Sequence, residues 1–371
     1  MPRQRVRDAT ALVIVLGAVV LGCGSDSAST EREDTIAALA DAVTEEMERT
    51  GAPGMEVAVR FGDGEEWIEQ FGIGDVESGT EVAGGMTWPL RSVTKSFVVD
   101  VLLELADEGV VSLDDTVDEY VDGVEADTDI TLRELADMSS GLPEYANEKF
   151  VTAFLDDVSR SFTDEELLAF VDGDPLDFEP GTEHVYVNTN TLLVGMIVAA
   201  ATDESVGDLL RSRIFDPLGL ETALYAPTAS DIAGSVPTGY QSNDGALVEA
   251  PLTFGVFGGS GAMAATIEDL LAWGPVLADG GLLADGGDEQ RSIARPLDAG
   301  PEYDSYGLGI GHIDGWWGHT GEGLGYTALV MSDTESGMTV AVVTNISDLA
   351  DDEHLPTTLF RRFATILGND T

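Results

Sequence analysis

Ser92-Val93-Thr94-Lys95 sets a hydroxyl and an amine three residues apart. On a helix such residues share a face, so the amine stands one turn from the hydroxyl. The run from Thr94 to Glu108 is apolar nearly all round and predicts a buried helix. A buried ammonium is costly, and burial lowers its pKa toward that of a usable base. The positive end of the helix dipole would favour negative charge developing at Ser92. Lys95 and Lys149 are the only lysines, the other basic residues being Arg. The bland alternative is a surface lysine in a first turn capped by serine.

Two further clusters lie far along the chain. Tyr186-Val187-Asn188 follows the turn Phe178-Glu179-Pro180-Gly181-Thr182. A phenol beside an ammonium ionises more easily and could take a proton from serine. Alternatively, Tyr186 is a half-buried aromatic and Asn188 caps the next helix. Gly318-His319-Thr320-Gly321 precedes the last strand pair. A glycine on an edge strand lets a substrate backbone approach, and strand amides can bind an oxyanion. His319 alone would equally suit a polar residue in a glycine turn.

In this order, Ser92-x-x-Lys95, Tyr186-x-Asn188 and His319-Thr320-Gly321 resemble the motifs of the serine β-lactamase and D-alanyl-D-alanine carboxypeptidase family, on its class C side. Ile130 to Leu135 leading to Ser140-Gly141-Leu142-Pro143 is similar to a recurring segment of that family, as is Ile214 to Leu220. The resemblance covers roughly residues 34 to 367. It implies that Ser92 is acylated, that Lys95 and Tyr186 share the general-base task, and that Asn188 orients Lys95 or the substrate amide. It also implies an oxyanion hole from the N–H groups of Ser92 and Glu322, beside the substrate-binding stretch His319-Thr320-Gly321. The expected activity is a serine hydrolase working through an acyl-enzyme, carboxypeptidase-like in the first instance. A family esterase or β-lactamase with the same residues is the alternative, and a non-catalytic envelope peptide-binding protein is the rival from another class.

Two departures bear on the substrate. His319 stands where class C β-lactamases usually carry lysine, and Tyr303 to Gly318 contains no Arg or Lys to grip a carboxylate. Trp316 and Trp317 sit there instead, as a wall for an apolar or ester substrate or as plain core. Other chemistries find little support. There is no Gly-x-Ser-x-Gly elbow. Gly258-Gly259-Ser260-Gly261 lacks a phosphate-loop lysine. His184, His312, His319 and His354 show no paired spacing for a metal. No cofactor and no metal are expected.

The elements that must position these groups follow from pattern. Ile36, Leu39, Val43 and Met47 recur at helical spacing, and Gly51 and Pro53 stop the run. Met55 to Phe61 and Trp67 to Ile73 read as strands around a Gly62-Asp63-Gly64 turn. Tyr326 to Ser332 and Met338 to Asn345 form a second pair, followed by an amphipathic helix through Leu359, Phe360, Phe363 and Ile366. The middle is mostly helical. The expected fold is therefore α+β and β-lactamase/transpeptidase-like. Both ends contribute to one antiparallel sheet flanked by helices, beside an all-helical lobe. The sheet lobe is expected over about 34–85 and 300–371, and the helical lobe over about 86–299, within one hydrolase domain at 34–371.

The first residues read as an export signal over 1–22, with Arg3, Arg5 and Arg7 ahead of an apolar run too short for a typical span. Cys23 is the only cysteine, and Val20-Leu21-Gly22-Cys23 resembles a lipoprotein cleavage box. Residues 23–33 are expected to be a polar tether behind that anchor. An exported, lipid-anchored protein of the envelope or exterior is expected, acting on a small-molecule or peptide substrate. The formal net charge of -52 repels nucleic acid and anionic lipid and suits salty water.

Overall fold

The computed structural model describes residues 25–121, 129–226, 228, 230–243, 246–349 and 353–368. The export signal and Cys23 lie outside the described residues. Helix α1 (Ser25–Thr50) begins inside the stretch expected to be tether. A tertiary contact explains the extension. The Arg32 guanidinium donates to Asp63 at 2.9 Å and lies 3.7 Å over the Phe61 ring. That clamps the early turns of α1 to the loop after the first strand.

The N-terminal end supplies β1 (Gly54–Arg60), β2 (Glu66–Asp75) and β3 (Thr80–Glu81). The C-terminal end supplies β4 (Ser305–Tyr306), β5 (Gly311–Ile313), β6 (Trp316–Gly323), β7 (Tyr326–Ser332) and β8 (Thr339–Thr344). They form one sheet in the order β3-β2-β1-β8-β7-β6-β5-β4, antiparallel throughout. Met55 lies opposite Thr344 and Arg60 opposite Thr339, so the two ends of the chain are paired at the middle of the sheet. The expected α+β architecture is present, but the lobe expected to be all-helical over about 86–299 also carries short strands, Trp88–Pro89, Leu224–Tyr225, Tyr240–Asn243, Ala246–Glu249 and Met263–Ala265, which belong to two small sheets.

Alternation along β1 sorts its side chains between two cores. Met55, Val57 and Val59 point to the layer that contains Leu39 and Val43 of α1 and Leu359 and Phe363 of α6 (Leu355–Gly368). Each such fully buried side chain is worth roughly 1.5–3 kcal/mol relative to exposure. Ala58 faces the opposite core, shared with α2 (Thr94–Asp107), α4 (Asn188–Thr202) and α5 (Ile267–Asp279). Glu56, also fully buried, accepts from Gln70 Nε2 at 2.8 Å and from Trp88 Nε1 at 2.9 Å. A smaller aromatic cluster surrounds α3 (Glu148–Asp156), with Phe150, Phe154 and Phe162. Residues 91–107 run from a short 3₁₀ turn, Arg91–Val93, directly into α2. That turn lies against β6, which sets the stage for the site.

Candidate active site

Ser92 sits in the turn that opens α2, and the residue before it is strained. Arg91 has φ +50°, a region that non-glycine residues rarely occupy. Its buried guanidinium holds it there, donating to Gly323 O and Thr253 O at 2.9 Å each and to Leu324 O at 3.3 Å. Burial lowers the Arg91 pKa to about 10. The strained turn presents Ser92 to solvent while Val93 goes into the core.

Lys95 is fully buried at the next turn. Its Nζ reaches Ser92 Oγ at 2.8 Å, Asn188 Oδ1 at 2.7 Å and Ser260 O at 2.8 Å. Burial pulls its pKa down to about 7, partly opposed by the charge of Glu144. Asn188 is the first residue of α4, not its cap, which is Val187. Glu144 accepts from Asn188 N at 2.7 Å and Nδ2 at 3.1 Å. That fixes the amide so that its oxygen faces Lys95. The third partner, Ser260, belongs to the turn Gly258–Ser260, which packs hard on α4. A Cβ on Gly259 would stand 2.4 Å from Thr191 O, so glycine is what permits the approach.

Tyr186 lies across the same cleft, with Lys95 Nζ 5.0 Å from its ring centre. Its hydroxyl is one of two buried side-chain polar atoms without a hydrogen-bond partner among the described residues. Burial raises its pKa well above the ordinary phenol value, and nearby Ser92 only partly offsets this. An unpartnered buried hydroxyl costs free energy and calls for an explanation at a functional position.

Strand β6 closes the other side. A cavity of about 510 Å³ is lined by Ser92, Tyr186, Asn188, Thr320, Gly321 and Glu322 together with neighbouring residues. The groups expected from distant stretches of chain thus meet around one space. Lys95 stands behind the wall and reaches the space through Ser92 and Asn188, whereas His319 departs from the expectation. Its side chain has 0% exposure and does not line the cavity. Strand alternation turns it inward, where Nδ1 faces Thr320 O at 2.6 Å and Nε2 meets the Tyr306 hydroxyl at 2.9 Å. Burial, then the Lys95 charge, lowers its pKa to about 3, so it stays neutral behind the wall. The tryptophans expected as a possible wall also turn out otherwise. Trp316 packs on Phe360 and Trp317 on His312, and neither lines the cavity.

The cavity also holds residues that spacing did not single out. His354 Nε2 approaches Gly321 O at 3.1 Å, and Thr357 N donates to His354 Nδ1 at 3.3 Å. His354 therefore ties the back of β6 to α6. Glu144 and Ser260 act through hydrogen bonds whose partners are distant in sequence, which no local pattern reveals. Among the described residues, no group of three or more His, Cys, Asp or Glu could hold a metal ion.

Residues 39–361 match the Beta-lactamase family. The chain belongs to the beta-lactamase family. This beta-lactamase-family chain is 31% identical over 254 residues to a D-aminopeptidase of Gluconobacter oxydans (strain 621H). That match covers 67% of this chain and 45% of the relative, so the chain spans about half the length of the curated protein it matches. Among solved structures, the D-amino acid amidase from Ochrobactrum anthropi SV3 complexed with L-phenylalanine amide superposes with TM-score 0.80 at 24% identity. It covers 91% of this chain and 99% of that one, and shows the shared fold. A D-stereospecific amidohydrolase from Streptomyces sp. reaches TM-score 0.74 at 27% identity, over 88% of this chain and 97% of that one.

Proposed function

We propose that this protein is a serine hydrolase that cleaves amides or esters through an acyl-enzyme on Ser92. The observation that carries the reading is the Lys95 environment. As an ammonium, Lys95 donates to Ser92, Asn188 and Ser260. As an amine it has two hydrogens, which the carbonyl oxygens of Asn188 and Ser260 accept. Its lone pair is then left facing the Ser92 hydroxyl. With a pKa near 7, both states are populated at neutral pH.

The steps follow. Lys95 takes the Ser92 proton as Oγ bonds to the substrate carbonyl carbon, and the carbonyl electrons move onto oxygen. The N–H groups of Ser92 and Glu322 receive that oxyanion, aided by the N-terminus of the helix. Collapse expels the amine or alcohol, which takes the proton from Lys95 by way of the Tyr186 hydroxyl. Tyr186 serves as a phenol because its burial disfavours phenolate. Water then attacks the ester carbonyl carbon on Ser92, its proton passes through the same groups to Ser92 Oγ as the carbon–Oγ bond breaks, and the acid leaves.

The lining of the cavity narrows the substrate. Its acidic members are Glu302, paired with Arg361 at 2.8 Å, and Glu322, which accepts from Asp348 N at 3.2 Å; its guanidinium is Arg91, buried and engaged by carbonyls, and His354 is held at a pKa of about 4. This favours a neutral or cationic substrate over one ending in carboxylate, and hence a small amide over a D-Ala-D-Ala peptide. The names of the relatives support an amino-acid amide of D configuration with a free amino group. Incubation with D- and L-amino-acid amides, a D-Ala-D-Ala peptide, a penicillin and a nitrophenyl ester, each with the Ser92→Ala variant as control, tests this. Faster turnover of the D-Ala-D-Ala peptide than of any amide would reverse the substrate assignment. Turnover undiminished in Ser92→Ala would remove the mechanism. On the sequence motif alone, we also propose that Cys23 carries lipid after export, which the mass of the native protein tests.

A further inference from the structure

The N–H of Glu322 is half of a planar trans peptide whose other half is the Gly321 carbonyl. The two groups point in opposite directions, so whatever holds the carbonyl also aims the N–H. Strand β6 by itself holds this unit poorly. β5 pairs with β6 only from Trp316 to Gly318. Beyond Gly318, β7 is the one neighbouring strand among the described residues, with Ala328 opposite Gly321. Gly321, Gly323 and Gly325 alternate through the end of β6 and its turn. Glycine loses more freedom on ordering than any other residue.

His354 supplies a further hold. It stands just ahead of α6, where its own carbonyl accepts from Thr357 N at 3.0 Å and Thr358 N at 3.2 Å. Leu355, Leu359, Phe360 and Phe363 bury that helix against the sheet, so the imidazole rides on a rigid element. Its hydrogen bonds select one tautomer. Nδ1 accepts from Thr357 N at 3.3 Å and lies 2.8 Å from the Thr357 hydroxyl, so it carries no hydrogen. Nε2 carries it instead and donates to Gly321 O at 3.1 Å. Burial lowers the His354 pKa to about 4, partly opposed by Gly321 O and the charge of Glu302, so the ring is neutral near pH 7. Both nitrogens are committed, which leaves neither to exchange a proton with substrate, although the residue lines the cavity. A carbonyl that accepts a hydrogen bond draws electron density from its amide nitrogen. Its N–H then becomes a stronger donor, as in other hydrogen-bonded chains.

We propose that His354 is a positioning residue for the oxyanion: through Gly321 O it fixes and polarises the Gly321–Glu322 peptide, whose N–H receives the negative oxygen. The assignment rests on the hydrolase reading above, which it deepens by naming what prepares that donor. Negative charge on the oxygen develops in the transition state and is absent from the bound substrate, so the contribution of His354 belongs to the rate and not to substrate affinity.

The test uses the full chain with D-alaninamide as substrate. His354→Phe and His354→Leu remove the donor, and Leu is small enough to fold where Phe does not. His354→Gln puts an amide N–H in its place. Losing a whole oxyanion donor costs about 10²–10³ in turnover, and a weakened one costs less. In the Phe and Leu variants kcat should fall about tenfold with KM within about twofold, and most of the loss should be recovered in His354→Gln. Phenylboronic acid forms a tetrahedral adduct on Ser92, so its affinity should follow kcat through the three variants. An unchanged kcat, a loss that appears in KM, equal losses in all three variants, or a boronate affinity that does not follow kcat overturns the assignment. The Glu322 amide proton reads the same contact without turnover. In isotope-labelled protein its resonance should move upfield in His354→Phe and His354→Leu and return in His354→Gln; a stationary resonance also overturns the assignment. If the wild-type chain neither cleaves the amide nor takes a fluorophosphonate on Ser92, the hydrolase reading fails, and that resonance alone decides whether His354 polarises the peptide.

Discussion

Gly321 faces the Ser92 amide so closely that a Cβ on it would stand 2.9 Å from that nitrogen and 2.3 Å from the Leu90 carbonyl oxygen. No heavy-atom pair of this kind tolerates the shorter distance, and both opposing atoms are backbone. Gly321→Ala must therefore push β6 away from the Arg91–Val93 turn. The Glu322 amide moves with it, and the oxyanion loses a donor. Turnover should fall by about 10²–10³. Circular dichroism should still report a folded chain. Near-normal kcat in Gly321→Ala would show that the Glu322 amide takes no part.

The pH dependence follows from Lys95. Its pKa lies near 7, so below that value the group is an ammonium without a lone pair for the Ser92 proton. The value of kcat/KM should rise with pH through about 7 and level off above it. Lys95→Arg keeps a charge but gives up the titration, because guanidinium stays protonated. That variant should lose the pH-dependent limb together with most activity, as stopped-flow acylation at several pH values would show.

Glu144 tunes the same group. Its charge raises the Lys95 pKa against the effect of burial. In Glu144→Gln the amide oxygen can still accept from Asn188 N, while the charge is gone. The acidic limb of the kcat/KM profile should then shift to lower pH. An unmoved or raised limb would contradict the coupling.

Glu56 gives a stability prediction with the opposite sign. Burial raises its pKa from 4.5 to about 7, with Gln70 and Trp88 only partly compensating. A group whose pKa is higher in the folded state stabilises it fully below the unfolded value, and that contribution is lost as pH rises through 7. Wild-type stability should therefore decline between about pH 4.5 and 7 by an amount on the order of 3 kcal/mol from this group. Glu56→Gln, neutral at every pH, should flatten that part of the curve in urea unfolding. An identical slope in both proteins would show that Glu56 is ionised where it sits.

The net charge of -52 predicts a salt requirement. Screening shortens the reach of like-charge repulsion from about 10 Å at 0.1 M salt to about 3 Å at 1 M. Thermal unfolding should move to higher temperature over that range, and a sodium salt of a weakly interacting anion should suffice. A Tm independent of salt would mean that the carboxylates are too dispersed for their repulsion to matter.

Much of this architecture was legible in the chain because the relevant signals are local. Ser92 and Lys95 share a turn, and the apolar run behind them announces a buried helix. The terminal strands carry enough β-branched and small residues to read as strands. The place of His319 is not legible, because a tripeptide does not state which face of its strand is solvent, and one residue of register separates the cavity from the core. Trp316 and Trp317 raised the same ambiguity. The roles of Glu144, Ser260 and His354 are not legible locally, because they arise from partners at sequence separations of tens to hundreds of residues. The helical start at Ser25 was hidden in a small, polar stretch whose order comes from Arg32 meeting Phe61 and Asp63.

Pairing of Met55 with Thr344 has a consequence for how the protein is made. A ribosome delivers the first of these long before the second, so until then β1, paired with β2 on one side, has its other edge unsatisfied. Nascent chains must wait, unassembled and adhesive, until synthesis is nearly over. A transcript cut short before codon 339 should therefore yield an inert product for proteases and chaperones, even though the nucleophile and its amine have both already been translated.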